Sequence, residues 1–263
     1  MTFRLLTTSA FGFVVGAAAL TSGQPANETA QRTGRSDASA RPRTLTETKQ
    51  RLLEGNRRFV AGQPLYPHMT MQWRNRLAKH QKPFATILGC SDSRVPIELL
   101  FDQGFGDLFV VRVAGNVVDT DVTGSVEYGV DHLNTKLVVV MGHENCGAVT
   151  AALYARQDKE PGEINSLLRR IQPALRPLPK LGTRELRIAA GVEANVRQSV
   201  AQLRRVPDLK LAVERGDVEI VGCIYSLQTG KIQFLDNPPG AARPDSANDP
   251  RSADSGGTRE AGQ

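Results

Sequence analysis

The chain has 263 residues, and 40% of them are hydrophobic, which is enough for the core of one α/β domain of ordinary size plus tails. The formal net charge is +6, but basic and acidic residues are interspersed and aromatic residues make up only 5%. These features argue against a dedicated nucleic-acid-binding surface, so we expect no nucleic-acid partner.

The first 23 residues have the composition of an export signal. Arg4 supplies a small positive region, residues 5–20 form an apolar stretch without charges, and small residues at 21–23 suit cleavage. The apolar stretch is short for a membrane-spanning helix, and no second apolar segment of membrane length follows, so we expect no stable membrane anchor. The sequence predicts a signal peptide over 1–23 and export to the bacterial periplasm or to the outside of the cell.

The composition divides the rest of the chain into three parts. Residues 24–43 are polar and rich in Ala, Arg, Ser and Thr, and they lack the apolar content needed to fold alone. Residues 236–263 are rich in Pro, Gly, Asp and Ser. We therefore predict a flexible spacer over 24–43, one folded domain over 44–235 and a disordered tail over 236–263.

Strands alternate with helices in the predicted domain. Thr44-Leu-Thr-Glu47 is a capping box, and apolar residues near helical spacing predict a helix from about Leu45 to Ala61 that could serve as an arm. The next predicted elements, in chain order, are a strand over 84–88, a short helix opening at Pro96, a strand over 107–113, a helix over 120–133, a strand over 137–141 and a helix over 148–155.

Two or three helices are expected between residues 164 and 213, where Gly182 and several prolines separate them. The last predicted element is a hairpin with strands at 218–225 and 232–235. This order predicts an α/β fold with a mainly parallel β-sheet flanked by helices, an N-terminal helical arm and a C-terminal β-hairpin.

Two short loops carry metal-ligand residue types. Cys90 and Asp92 follow the first predicted strand, and His143 and Cys146 follow the third. In open parallel sheets, loops at the carboxyl ends of neighbouring strands converge, so adjacency of these strands would bring both loops to one metal. Two thiolates and an imidazole favour Zn²⁺, and three firm ligands plus a replaceable fourth position are typical of a catalytic zinc site.

Two simpler interpretations stay open for this set. Cys is among the most buried residue types, and the loops could hold unrelated structural residues. A closed structural zinc site with Asp92 as fourth ligand is also possible. Neither interpretation explains Arg94, whose planar fork matches a carboxylate and could hold Asp92 off the metal, unless Arg94 is simply a surface cation. Cys223 lies in an apolar run and is most simply a buried hydrophobic residue.

The chain resembles the β-class carbonic anhydrases from about residue 45 to residue 235. The resemblance rests on four motifs, which are Cys-Ser-Asp-Ser-Arg (90–94), Gly-Asp-Leu-Phe-Val-Val-Arg-Val-Ala-Gly-Asn (106–116), Ser-Val-Glu-Tyr (125–128) and His-Glu-Asn-Cys-Gly (143–147). It implies one zinc ion per subunit. The implied zinc ligands are Cys90, His143 and Cys146, with Asp92 as an exchangeable fourth ligand and Arg94 as the partner of Asp92 in catalysis.

The resemblance also implies an activity and an assembly. The implied reaction is the reversible hydration of carbon dioxide to bicarbonate and a proton, by attack of zinc-bound hydroxide on CO₂. The implied assembly is a homodimer or a higher even oligomer, with the N-terminal helix embracing the partner subunit. Two alternatives remain, namely a carbonyl sulfide or carbon disulfide hydrolase on the same scaffold and a non-catalytic zinc-binding module.

Departures from the family pattern leave the substrate pocket open. Plant-type members have a substrate-binding Gln where this chain has Gly104, so the neighbouring Gln103 is one pocket candidate. Gly147, at a tight turn into the next helix, is another. Glu144 stands where a small residue such as Ser is commoner, and it could either disfavour nearby anions or aid proton transfer.

Overall fold

The computed structural model describes residues 41–42, 44–154 and 162–236. In this part of the chain a central β-sheet is flanked by helices. The helices are α1 (Leu45–Val60), α2 (Met71–Leu77), α3 (Ile97–Leu100), α4 (Thr120–Asp131), α5 (Gly147–Tyr154), α6 (Gly162–Leu175), α7 (Arg184–Leu203) and α8 (Pro207–Glu214). The strands are β1 (Ala85–Gly89), β2 (Leu108–Arg112), β3 (Leu137–His143), β4 (Glu219–Tyr225) and β5 (Ile232–Phe234), and a 3₁₀ turn spans Ala114–Asn116.

The strand order within the described residues is β2-β1-β3-β4-β5. Strands β1 to β4 run parallel to one another, and β5 pairs antiparallel with β4. The chain leaves β1 for β2 on one side and returns to β3 on the other, so the strand connections reverse direction at β1. Gly89 pairs with Met141, and the carboxyl ends of β1 and β3 therefore adjoin at a crevice. The predicted α/β fold is confirmed.

The two faces of the sheet carry separate parts of the hydrophobic core. Along β3, Val139 packs on one face, whereas Val138 and Val140 pack on the other, as the two-residue period of a strand requires. Helices α1 and α3 cover the first face, and helices α4, α7 and α8 cover the second. Every residue of β3 is buried, which explains its continuous apolar sequence.

Helix α1 begins at the predicted capping box. The amide of Glu47 donates to Thr44 Oγ1 at 3.1 Å, and the amide of Thr44 donates to the Glu47 carboxylate at 3.3 Å. Leu52 is fully buried and Phe59 packs against the core, whereas Leu53 and Val60 are exposed. The apolar stripe of α1 is therefore narrower than the sequence suggests, and it packs on the chain's own sheet.

Helix α2 is not foreseen by the sequence analysis. None of its seven residues is buried, so no apolar stripe marks it. Local contacts hold it instead, because the Trp73 ring stacks on the His68 ring with centroids 3.8 Å apart. The indole N–H of Trp73 also donates to the carbonyl of Phe105 at 2.9 Å.

The predicted signal peptide (1–23) and most of the predicted spacer (24–43) and tail (236–263) lie outside the described residues. These boundaries therefore stay predictions. Among the helices of the described segments, none combines the length and the apolar character needed to cross a membrane.

Candidate active site

Cys90, His143 and Cys146 meet in the crevice between β1 and β3. Cys90 directly follows β1, His143 is the last residue of β3, and Cys146 precedes α5. Their ligand atoms all lie within 4.8 Å of one another, and the residues are 4%, 0% and 1% exposed. Tetrahedral zinc, with Zn–S distances of about 2.3 Å, places sulfur ligands roughly 3.8 Å apart, so little movement would be needed to close this cluster on one ion.

The ring of His143 has a fixed orientation. Its Nδ1 lies 2.9 Å from the backbone carbonyl oxygen of Glu144, and a carbonyl only accepts, so Nδ1 carries the proton and donates it. Nε2 therefore presents a lone pair, yet it is buried and has no hydrogen-bond partner. A buried acceptor without a partner costs free energy, and a metal ion beside it would satisfy it.

The two sulfurs share one hydrogen bond. The Cys146 thiol donates to Cys90, which lowers the pKa of Cys90 to about 4 and raises the pKa of Cys146 above its ordinary value. The backbone amide of Gly115 also donates to Cys90 Sγ at 3.3 Å. The amides of Ala148 and Val149, at the start of α5, act on Cys146 in the opposite sense and favour its thiolate. The surroundings thus stabilise negative charge on sulfur.

Helix α7 holds the turn that carries Gly115. The side-chain amide of Asn195 donates to the Gly115 carbonyl at 2.7 Å, and the Ser199 hydroxyl donates to the Asn116 carbonyl at 3.0 Å. Both α7 residues are buried. Gly115 has φ of +69°, a left-handed conformation that favours glycine. Glycine at this position therefore allows the backbone conformation in which the Gly115 amide donates to Cys90 Sγ.

Asp92 and Arg94 form a bidentate pair at the edge of the ligand cluster. Arg94 Nε donates to Asp92 Oδ1 at 2.9 Å, and Nη2 donates to Oδ2 at 2.8 Å. This contact holds the pKa of Asp92 well below its usual range and raises the pKa of Arg94. The Asp92 carboxylate is therefore ionised. Its Oδ2 lies 3.8 Å from His143 Nε2, so it is within reach of the ligand cluster while it is paired with Arg94.

Arg112 is a site residue that the sequence analysis did not single out. From the end of β2, its Nε donates to the Cys90 carbonyl at 3.0 Å and its Nη2 donates to the Asp92 carbonyl at 2.7 Å. One guanidinium therefore fixes the backbone on both sides of the first ligand loop. The available signal was a lone basic residue at the carboxyl end of an apolar strand inside the 106–116 motif.

The two pocket candidates have different surroundings. The Gln103 side chain is buried, accepts a hydrogen bond from Arg51 Nε at 3.0 Å and donates to the Phe101 carbonyl at 2.8 Å. Its described hydrogen bonds thus lead to α1 and the end of α3, and not to the Cys-His-Cys cluster. A Cβ added at Gly147 would point into open space next to Cys146. A substrate role of either residue stays a prediction.

Comparisons with known proteins identify the family. A family model described as carbonic anhydrase matches residues 85–232. The Coccomyxa β-carbonic anhydrase structure is 30% identical, with a TM-score of 0.58, and the match covers 70% of this chain and 84% of that chain. The chain belongs to the β-class carbonic anhydrase family.

Other relatives agree with this assignment. Carbonic anhydrase 2 of Mycobacterium tuberculosis is 43% identical over 191 residues, which are 71% of this chain and 90% of the relative. The carbonic anhydrase of Mycolicibacterium smegmatis is 42% identical over 186 residues, with 70% of this chain and 89% of the relative covered. A tetrameric β-carbonic anhydrase of Sordaria macrospora is 26% identical, with a TM-score of 0.59, over 72% of this chain and 96% of that chain.

Proposed function

We propose that this β-class carbonic anhydrase chain hydrates carbon dioxide reversibly to bicarbonate and a proton, with one zinc ion per subunit held by Cys90, His143 and Cys146. The observation that carries the proposal is the buried, unpartnered Nε2 of His143 beside two thiol sulfurs. This donor set fits Zn²⁺, because sulfur and nitrogen suit a borderline-soft ion and three ligands leave a fourth position open. When bound, a zinc ion makes water a nucleophile near neutral pH.

Asp92 and Arg94 orient the reacting oxygen. Since Arg94 keeps the Asp92 carboxylate ionised and engaged on both oxygens, Asp92 acts as a hydrogen-bond acceptor of fixed direction at the edge of the ligand cluster. An acceptor in this position directs a lone pair of the oxygen nucleophile toward CO₂, which supplies positioning rather than binding energy.

The walls of the cluster suit a small apolar substrate. Val117, Val149 and Ile171 are buried and pack in one cluster with the two ligand cysteines. CO₂ offers little to bind, so catalysis depends on the position of the nucleophile and on polar groups in surroundings that exclude water. Electrostatic interactions are stronger in such surroundings than in bulk water.

The alternatives are less well supported. A non-catalytic zinc module would keep Asp92 on the metal, whereas here both Asp92 oxygens are engaged by Arg94. A carbonyl sulfide or carbon disulfide hydrolase would use the same ligands, and the geometry of the cluster does not favour it over CO₂ hydration.

The test is stopped-flow CO₂ hydration by the purified full-length protein, with zinc content measured on the same sample. We expect His143→Ala and Cys146→Ser to lose both zinc and activity. Cys223→Ala is the matched control, because burial raises the pKa of Cys223 and keeps it a neutral thiol on β4. Full activity of metal-free protein would refute the mechanism, and faster turnover of carbonyl sulfide than of CO₂ would support the hydrolase instead.

We also propose that the chain forms a homodimer or a higher even oligomer. Within the described sheet, β2 pairs only with β1, so its outer edge is unpaired. The side chains of Phe105 and Tyr128 near this edge are exposed. Exposed apolar side chains beside an open strand edge are typical of an interface. Analytical ultracentrifugation at micromolar concentration tests the proposal, and a monomer would contradict it.

Export is proposed from the sequence of residues 1–23 alone. We expect the mature protein, expressed in a bacterial host, to appear in the periplasmic or extracellular fraction with a new N-terminus near residue 23. Mass spectrometry of the fractionated protein checks this. Recovery of the uncut chain from the cytosol would argue against it.

A further inference from the structure

Glu144 is anchored at every polar group of its residue. Its backbone amide donates to the Tyr225 carbonyl at 3.0 Å, and its own carbonyl accepts from His143 Nδ1 at 2.9 Å. Its carboxylate accepts from the Ser226 hydroxyl at 3.0 Å and from the Gln228 amide at 3.5 Å. The residue therefore ties the second ligand loop to the end of β4 and to the turn of the C-terminal hairpin.

The position of the Glu144 carbonyl determines the direction in which His143 Nε2 points. Pairing of His143 with Tyr225 fixes the backbone of the ligand, but the ring can still rotate about its side-chain torsions. The hydrogen bond from Nδ1 to the Glu144 carbonyl selects one ring orientation and one tautomer. Partners of this kind govern how well a histidine binds its metal, and their loss typically lowers metal affinity about 10–100-fold.

We propose that Glu144 is a positioning residue for His143, and that its carboxylate acts as a brace against Ser226 and not as a proton-transfer group. The inference rests on the proposed function, because it takes His143 as a zinc ligand. It deepens that function by assigning a role to a residue whose chemistry the sequence alone left open.

The hydrogen bonds around Ser226 favour the brace. The Ser226 hydroxyl accepts from the Thr229 amide at 3.2 Å, and its single proton is left to donate to Glu144. The carboxylate thus faces the hairpin turn, and the donors that hold it belong to residues 82 and 84 positions further along the chain. A proton-transfer group would instead need to exchange protons with the reacting oxygen.

The experiment compares E144A, E144Q and S226A with the wild-type protein. E144A removes the carboxylate that accepts from Ser226 and keeps the backbone carbonyl that accepts from His143. S226A removes the hydroxyl that donates to this carboxylate. E144Q keeps a side-chain acceptor oxygen but removes the negative charge. We expect E144A and S226A to weaken zinc affinity about tenfold or more in chelator competition and to change the visible spectrum of the cobalt-substituted protein. E144Q should restore most of the affinity and the spectrum relative to E144A.

Glu98 on α3 is exposed and provides the matched control, and E98A should change neither measurement. Circular dichroism and urea unfolding check that each variant is folded. Wild-type zinc affinity and spectrum in E144A would overturn the proposal. So would E144Q that keeps zinc but loses as much hydration activity as E144A, because that result indicates proton transfer. Absence of CO₂ hydration by the wild-type protein, with the affinity differences intact, would refute the proposed function and leave this inference standing.

Discussion

The backbone amide of Gly115 donates a hydrogen bond to the sulfur of Cys90 across 25 positions of sequence, with the nitrogen 3.3 Å from Sγ. The side-chain amide of Asn195 on α7 donates to the carbonyl of the same glycine, Gly115. Because hydrogen bonds to sulfur favour the thiolate, a helix on one face of the sheet helps to prepare a metal ligand at the end of β1.

Gly115→Ala should therefore damage both stability and zinc binding. The left-handed φ of +69° strains an alanine, and its Cβ would lie 2.8 Å from Ile171 Cδ1 and 3.0 Å from Ala148 Cβ. We expect a loss of about 2–3 kcal/mol in the free energy of unfolding and weaker zinc binding. Urea unfolding and chelator competition measure the two effects.

Gly124→Ala is the matched control for this change. Gly124 lies inside α4 with an ordinary helical φ, and an added Cβ would meet open space. Alanine should stabilise the helix there by up to about 1 kcal/mol. Equal effects of the two substitutions would contradict the role assigned to the turn at Gly115.

Metal-free protein should carry one thiolate at pH 6. The hydrogen bond from Cys146 lowers the pKa of Cys90 to about 4, while the pKa of Cys146 is raised and burial raises that of Cys223. Thiolate absorbance in the ultraviolet should therefore fall on acidification with a midpoint near pH 4, and Cys90→Ser should abolish this signal.

The same shift affects stability. The folded pKa of Cys90 lies below its ordinary value of 9.0, so its ionisation stabilises the folded metal-free protein. This contribution shrinks as the pH falls from 9 through about 4. Absence of thiolate absorbance below pH 8 in folded protein would contradict the hydrogen-bond arrangement of the two sulfurs.

Arg94→Ala should retain zinc and lose most of the hydration activity. Without the two hydrogen bonds from the Arg94 guanidinium, the Asp92 carboxylate keeps only the bond from the backbone amide of residue 94, at 3.0 Å. It can then turn toward the ligand cluster, which it already approaches to 3.8 Å at His143 Nε2. We expect a loss of at least tenfold in kcat/KM with unchanged zinc content. Stopped-flow assays and metal analysis of the same preparations check this.

The Asp92–Arg94 pair also predicts how the stability of the fold depends on pH. Arg94 holds the pKa of Asp92 below the ordinary 3.8, so ionised Asp92 stabilises the folded protein above that pH, and the contribution is lost at lower pH. The difference in Tm between wild type and Arg94→Ala should therefore be largest above about pH 4 and shrink below it. Arg215→Ala is the control, because Arg215 and Asp217 form an exposed pair with the same two-residue spacing at the end of α8. Equal activity losses in the two variants would refute the assigned role.

Much of the fold is predictable because its signals are local. Continuous apolar runs marked β1 and β3, since a parallel strand covered on both faces needs apolar residues throughout. The capping box placed the start of α1 within a residue. Helix α2 escaped prediction because its helical residues are all at least partly exposed, and what holds Trp73 is a stacked ring and a carbonyl 32 positions away.

The site, like the fold, was only partly predictable from the sequence. Residue types and strand ends predicted the ligand residues, because those features are written in short motifs. The partners that orient them come from distant segments, such as Asn195 on α7 and Ser226 in the hairpin. Glu144 shows the limit most clearly. Its position beside a ligand suggested chemistry, but the direction of its carboxylate depends on a turn 82 residues away.

Asn56→Ala should disconnect α1 from the hairpin. The Asn56 amide donates to the carbonyls of Leu100 and Gly230 at 3.0 and 2.9 Å, and its oxygen accepts from the Ile232 amide at 2.9 Å. Alanine removes the partner of two buried backbone groups and of the part-buried Gly230 carbonyl, at a cost of about 2–4 kcal/mol in the free energy of unfolding. Urea unfolding measures this loss against Gln50→Ala, an exposed change on the same helix that should cost less than about 0.5 kcal/mol.

The same variant tests whether the hairpin turn braces the site. Because the turn that Asn56 holds also carries Ser226, loosening it should weaken the hydrogen bond to Glu144 and lower zinc affinity in protein that is still folded. Chelator competition at low temperature, where the variant remains native, measures that affinity. An Asn56→Ala protein that is destabilised as expected but binds zinc like the wild type would show that the turn and the metal site are energetically independent.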